Sequence, residues 1–117
     1  MSRVTGTTYQ AIVGEVIVLR RKDMGLNQAD LAQRIGISQS AWSRVEKGLS
    51  NLTVEQLTKV ASVLGVAPNQ IIAEADQAKV ALQHDGVQVA GTKSDATGWL
   101  LLGAAAIGLV ILASKGK

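Results

Sequence analysis

The chain has no cysteine and no phenylalanine, and it has one proline and one histidine. Without cysteine there are no disulfides, no thiolate metal sites and no cysteine nucleophile. The histidine, His84, stands apart from scattered carboxylates, so the sequence indicates neither a metal site nor a nucleophilic triad. No glycine-rich phosphate loop follows a strand pattern. We therefore predict that the protein is not an enzyme and uses no cofactor or metal ion.

Charged and apolar residues are spread unevenly over the 117 positions. The net charge is +3, and the basic excess lies in residues 1–73. A basic domain of this kind is compatible with a nucleic acid or an anionic membrane surface as its partner. Apolar residues make up 47% of the chain, but much of that mass follows Gly98. We therefore expect one domain with an aliphatic core plus an appendage, and no cleavable signal peptide.

Helix start and stop signals divide residues 8–75 into five predicted helices. Capping or first-turn residues mark the starts of these helices: Thr7, Asn27, Ser38, Thr53 and Pro68. Glycines follow four of the predicted ends: Gly25, Gly36, Gly48 and Gly65. Residues 1–7 are predicted to form a flexible arm. Residues 76–97 are predicted to extend the fifth helix and then form a linker, because the short alternation around Val87 and Val89 is poor evidence for a strand.

The segment LNQADLAQRIGISQSAWSRVEKG, residues 26–48, combines two short amphipathic helices with a tight turn. Ala32 leaves room for a partner helix, and Gly36 can take the positive φ that a compact turn requires. Leu31 and Val45 are expected to fill the wedge between the two helices. This spacing predicts a helix-turn-helix motif.

With the following LTVEQLTKVASVLGV and VLGVAPNQII, this segment closely resembles the Cro/CI-type (Xre family) helix-turn-helix domain of phage repressors and bacterial regulators. The resemblance covers roughly residues 9–75. The positions that match the family pattern are Gln28, Ala32, Gly36, Ser38, Ser43, Glu46 and Gly48. It implies an all-α fold, a five-helix lambda-repressor-like domain, to which we add a separate C-terminal hydrophobic helix. It also implies a homodimer that binds a palindromic site on double-stranded DNA and regulates transcription as a repressor.

The resemblance further implies that the helix Gln39–Lys47 lies in the DNA major groove. The residues that it places against bases are Gln39, Ser40 and Arg44. Glutamine and arginine have the hydrogen-bonding geometry to read adenine and guanine. The residues that it places against the DNA backbone are Asn27, Gln28, Ser43 and Lys47.

Two further expectations concern the inner side of the same motif. Arg21 and Glu46 fall on a pair that forms an internal salt bridge in some relatives, and we assign both a structural role. Trp42 stands where the family has an aliphatic residue. We expect it to be a partly buried core side chain rather than one that stacks on a base.

The chain ends in a long apolar stretch. Gly98–Ala113 contains no charged residue, and as a helix it would span about 24 Å against roughly 30 Å for a bilayer core. Trp99 is an aromatic residue of the kind found at membrane interfaces. We predict a hydrophobic, transmembrane helix over residues 98–114 that contacts lipid, and a basic tail over residues 115–117. A DNA-binding domain must face the cytoplasm, so we predict a location on the cytoplasmic side of the bacterial inner membrane.

Two alternatives to this membrane-anchored regulator stay open. In the first, the hydrophobic tail drives oligomerisation of a soluble repressor. In the second, the protein is a membrane-embedded structural component, for example of a phage, that tethers DNA without regulating a promoter.

Overall fold

The computed structural model describes residues 5–91, 100–101 and 104–115. These ranges contain six helices and three short strands. The helices are α1 (Tyr9–Asp23), α2 (Gln28–Ile35), α3 (Gln39–Glu46), α4 (Val54–Leu64), α5 (Pro68–His84) and α6 (Ala104–Lys115). The strands are β1 (Thr5–Thr8), β2 (Gln88–Ala90) and β3 (Leu100–Leu101).

Side chains that accept backbone N–H bonds fix the starts of the first four helices. Asn27 and Thr53 form reciprocal capping boxes with residues three positions later, and Ser38 accepts from the Ala41 N–H at 3.2 Å. The prediction for α1 is wrong by one residue, because Thr8 rather than Thr7 accepts from the Ala11 N–H, at 3.1 Å. Each cap satisfies a backbone donor that the first turn of a helix leaves unpaired.

The core of the domain is built around α1, which packs against α3 and α5. The fully buried large side chains of the core come from all six helices and include Ile12, Ile17, Leu31, Trp42, Val60, Ile71 and Ile107. Gly14 lets α3 approach α1 closely, because a Cβ at this position would lie 2.2 Å from the backbone oxygen of Glu46. The orientation of α3 therefore depends on the absence of a side chain at Gly14.

The three strands form a small parallel sheet in the order β2-β1-β3, which departs from the all-α prediction. Thr7 in β1 pairs with Val89 in β2, and Gly6 pairs with Leu101 in β3. The segment predicted as a flexible arm thus contains a strand, and so does the predicted linker. These strands have four residues or fewer and pair across most of the chain, so no local period identifies them.

Helix α6 is not separate from the domain, in contrast to the prediction for residues 98–114. It packs against α1 and α5 and buries Ile107 and Ile111, which lie one turn apart. Among the described residues, no helix has both the length and the apolar character needed to cross a bilayer. Some predicted features lie outside the described residues: positions 1–4 of the arm, 92–97 of the linker, Trp99 and positions 116–117 of the tail.

Candidate nucleic-acid interface

The motif at residues 28–46 consists of α2, a three-residue turn and α3. Gly36 caps the carboxyl end of α2, and its φ of 80° is in the left-handed region that favours glycine. The Ile37 N–H then bonds the Ala32 carbonyl at 3.0 Å, which closes the turn. Ser38 caps the next helix directly. The two helices are therefore joined by a short, hydrogen-bonded turn, and this turn fixes the direction in which α3 leaves α2.

Helix α3 has one buried side and one exposed side. Trp42, Val45 and Glu46 are buried, and Trp42 has no solvent exposure. The side chains on the other side are exposed: Gln39, Ser40, Ala41 and Arg44. This separation follows the helical period, because the buried residues lie three to four positions apart. The outer edge of α3 is polar and is available to a partner.

All three residues predicted to contact bases lie on this exposed edge. Ser40 and Arg44 are one turn apart, and Gln39 begins the helix. Arg44 donates its Nε–H to Ser50 Oγ at 3.2 Å, which leaves the two terminal nitrogens of the guanidinium outside this bond. Ser40 Oγ is 3.4 Å from Ser38 Oγ. The structure thus places these three residues together on one solvent-facing surface.

The four residues predicted to contact the DNA backbone differ in their solvent exposure. Asn27 and Lys47 are exposed, whereas Gln28 and Ser43 are half-buried. Asn27 accepts from the Asp30 N–H at 2.8 Å, so its side-chain oxygen is used as a helix cap. Gln28 donates its amide to Glu46 at 2.7 Å. Asn27 and Gln28 are nevertheless at the amino end of α2, where unpaired N–H groups and the helix dipole favour an anion.

Glu46 is the centre of a buried hydrogen-bond network behind α3. Arg21 forms a bidentate ion pair with it, with Nε at 2.8 Å from Oε2 and a second nitrogen at 2.9 Å from Oε1. Trp42 donates its indole N–H to Oε2 at 2.7 Å, and Gln28 donates to Oε1. A buried carboxylate requires such donors, because its charge is costly to remove from water without them. The network joins α1, α2 and α3.

Sequence reasoning missed two members of this network. For Trp42 a local signal existed, since Trp42 and Glu46 are four residues apart on one helix. For Gln28 there was none, because 18 positions separate it from Glu46. The Arg21–Glu46 pair was predicted from the family resemblance alone.

Comparisons with known proteins agree with this geometry. A helix-turn-helix family pattern matches residues 17–71, from the middle of α1 to the start of α5. The HTH-type transcriptional regulator y4dJ of Sinorhizobium fredii, described as uncharacterized, is 33% identical over 66 residues, which cover 56% of this chain and 86% of that protein. The HTH-type transcriptional regulator SinR of Bacillus licheniformis is 31% identical over 76 residues. That match covers 64% of this chain and 65% of SinR, slightly less than two thirds of its length.

A solved structure has a fold similar to that of this chain. The clp gene regulator ClgR from Corynebacterium glutamicum superposes with a TM-score of 0.60 at 26% identity, over 66% of this chain and 84% of that one. The chain therefore belongs to the helix-turn-helix family of the Cro/CI (Xre) type. Strand β3 and helix α6 lie beyond the segment that the family pattern matches.

Proposed function

We propose that the protein is a sequence-specific DNA-binding transcriptional regulator whose helix α3 enters the major groove. The exposed polar edge formed by Gln39, Ser40 and Arg44, opposite the buried Trp42, is the observation that carries this proposal. The regulators to which the chain is similar support the same function.

The side chains on this edge have the chemistry for base reading. An arginine guanidinium donates to both O6 and N7 of guanine, and a glutamine amide pairs with N6 and N7 of adenine. The terminal nitrogens of Arg44 would bind guanine while its Nε remains on Ser50. Gln39, at the first position of α3, would read a neighbouring base, and Ser40 would add a hydroxyl contact.

Contacts with the phosphate backbone would set the position of α3 in the groove. The amino end of α2, with Asn27 and Gln28, is suited to one phosphate. Gln28 is held by Glu46, so a contact there would be fixed by the same buried carboxylate that holds Trp42. Ser43 and the exposed Lys47 would contact the backbone on the other side.

A homodimer would double this contact surface on a palindromic site. Two copies of α3 would then enter successive major grooves, with half-sites about one helical turn apart. Repressor activity follows if such a site overlaps a promoter. The membrane location stays a prediction. DNA binding does not require it, since α6 packs on α1 and α5.

Selection from random double-stranded DNA tests the proposal. The full chain should enrich one motif, and the enriched duplex should bind more tightly than a shuffled duplex of equal composition at the same salt concentration. Two related half-sites in the motif would support the dimer. Recovery of the starting pool with no enriched motif would contradict sequence-specific binding.

A further inference from the structure

A carboxylate lies beneath the C-terminal helix. Glu15, on α1, is only 8% exposed. It faces Gly108 of α6, where a Cβ would lie 3.1 Å from Glu15 Oε1. Within the described part of the chain, no hydrogen bond or ion pair involves this carboxylate. Glu15 thus differs from Glu46, the other buried glutamate of this region, which has four donors.

The groups around Glu15 do not offset its burial. Burial raises the pKa of Glu15, and Glu46 on α3 raises it further, whereas Lys22 and Arg21 on α1 lower it. The side chains that α6 presents between Ala106 and Ala113 carry no charge. On α5, the buried residues Ile71, Ala75, Ala78 and Leu82 are apolar as well. A carboxylate covered in this way favours its neutral form.

The outer face of α6 is apolar as well. Ile107 and Ile111 are buried against the domain, yet Leu109 and Leu112 on the same helix are 69% and 54% exposed. A helix that belonged only on the surface of this domain would have polar residues on its outer side. Docking therefore buries one apolar face of α6, leaves the other in solvent, and places the helix over a largely buried carboxylate that has no hydrogen bond or ion pair among the described residues.

We propose that α6 is a releasable helix, whose docking on α1 and α5 is weakened by the ionised Glu15 carboxylate and strengthened when that carboxylate is neutral. The burial of Ile107 and Ile111 holds α6 in place, and the charge beneath Gly108 opposes it. This equilibrium between docked and released α6 does not depend on DNA binding.

The direction of the pH dependence follows from the raised pKa of Glu15 in the docked state. At pH values above that pKa the carboxylate is charged, and docking is at its weakest. As the pH falls through the raised pKa toward the ordinary value of a glutamate, the proton is taken up and docking strengthens. Acidification thus holds α6 on the domain.

Thiol labelling measures this equilibrium, because the chain has no cysteine of its own. Ile111→Cys introduces a thiol on the buried face of α6, and Leu112→Cys introduces one on its exposed face. The labelling rate at position 111, divided by the rate at position 112, reports the released fraction. Adding Glu15→Gln to both variants should lower this ratio at pH 7, about tenfold for each unit by which docking raises the Glu15 pKa. An unchanged or higher ratio would overturn the proposal.

Two further measurements do not rely on Glu15→Gln folding normally. With Glu15 intact, the ratio should fall as the pH is lowered from 7 toward the ordinary pKa of a glutamate, about 4.3, measured with a disulfide reagent that reacts over this range. Gly108→Leu places a side chain against Glu15 and should raise the labelling ratio when Glu15 is intact. In the Glu15→Ala background, Gly108→Leu should raise the labelling ratio by a smaller factor. A ratio that is independent of pH, or equal effects of Gly108→Leu in both backgrounds, would also count against the proposal.

Discussion

Trp42 and Glu46 are one turn apart on α3, and the indole N–H of Trp42 donates to the Glu46 carboxylate at 2.7 Å. Arg21 from α1 and Gln28 from α2 donate to the same carboxylate. The buried side of α3 is therefore attached to both neighbouring helices through one group. The polar edge that we assign to DNA is positioned by these inner contacts, and disturbing them should affect stability first.

Replacing Trp42 with phenylalanine keeps an aromatic ring but removes the N–H donor. The lost hydrogen bond to a buried carboxylate costs about 1.5–3 kcal/mol. The smaller ring also leaves a cavity in this fully buried site, so the free energy of unfolding should fall by at least that amount. Urea denaturation followed by far-UV circular dichroism measures this change. Tyr9→Phe is the matched control, because it removes the exposed bond from Tyr9 to Asp76 and should cost about 0.5–1.5 kcal/mol. Equal losses for both variants would contradict a special role for the Trp42 bond.

Replacing Arg21 with methionine leaves Glu46 buried without its cationic partner. Removing one half of a buried ion pair costs about 3–5 kcal/mol, because the remaining charge is uncompensated. Lys59→Met is the control, since Lys59 pairs with Glu55 on the exposed side of α4 and such pairs contribute about 0.5 kcal/mol. Chemical denaturation of the two variants under the same conditions should separate them clearly. Similar midpoints would mean that the Arg21–Glu46 pair is not buried in solution.

Replacing Gly14 with alanine tests the close approach of α1 and α3. The new Cβ would overlap the backbone oxygen of Glu46, and backbone gives way less readily than a side chain. We expect a loss of about 1–3 kcal/mol from overpacking, even though alanine favours helices. Gly91→Ala is the control, because nothing lies within 4 Å of a Cβ there, and its effect should stay within about 0.5 kcal/mol. Thermal denaturation of both variants measures the difference.

The parts of the fold that the sequence predicted are those with local chemistry. Asn27, Ser38 and Thr53 cap helices in the structure, and Gly36 ends α2, because caps and left-handed turns depend on a few adjacent residues. The exposed edge of α3 follows from the helical period in the same way. By contrast, β1 pairs with strands more than 80 positions away, and each strand is too short to show a period.

The docking of α6 had no local signature either. Residues 104–113 are apolar on all sides, so periodicity does not tell which face is buried or against what. Only the packing of Ile107 and Ile111 on α1 and α5 reveals it. The same limit applies to Gln28, whose partner Glu46 is on another helix.

If α3 enters the major groove, substitutions on its exposed edge should weaken sequence-specific binding to DNA. A purely structural role of the same residues does not predict this loss. Gln39→Ala and Arg44→Ala should each weaken binding to the selected duplex by about 1–3 kcal/mol, because a base contact is lost. Binding to a shuffled duplex should change little for Gln39→Ala, and Lys59→Ala on α4 controls for the charge that Arg44→Ala removes. Fluorescence anisotropy at fixed salt, after circular dichroism has shown that each variant is folded, gives both affinities. If either variant loses the same affinity for both duplexes, its side chain contacts the DNA backbone and does not read sequence.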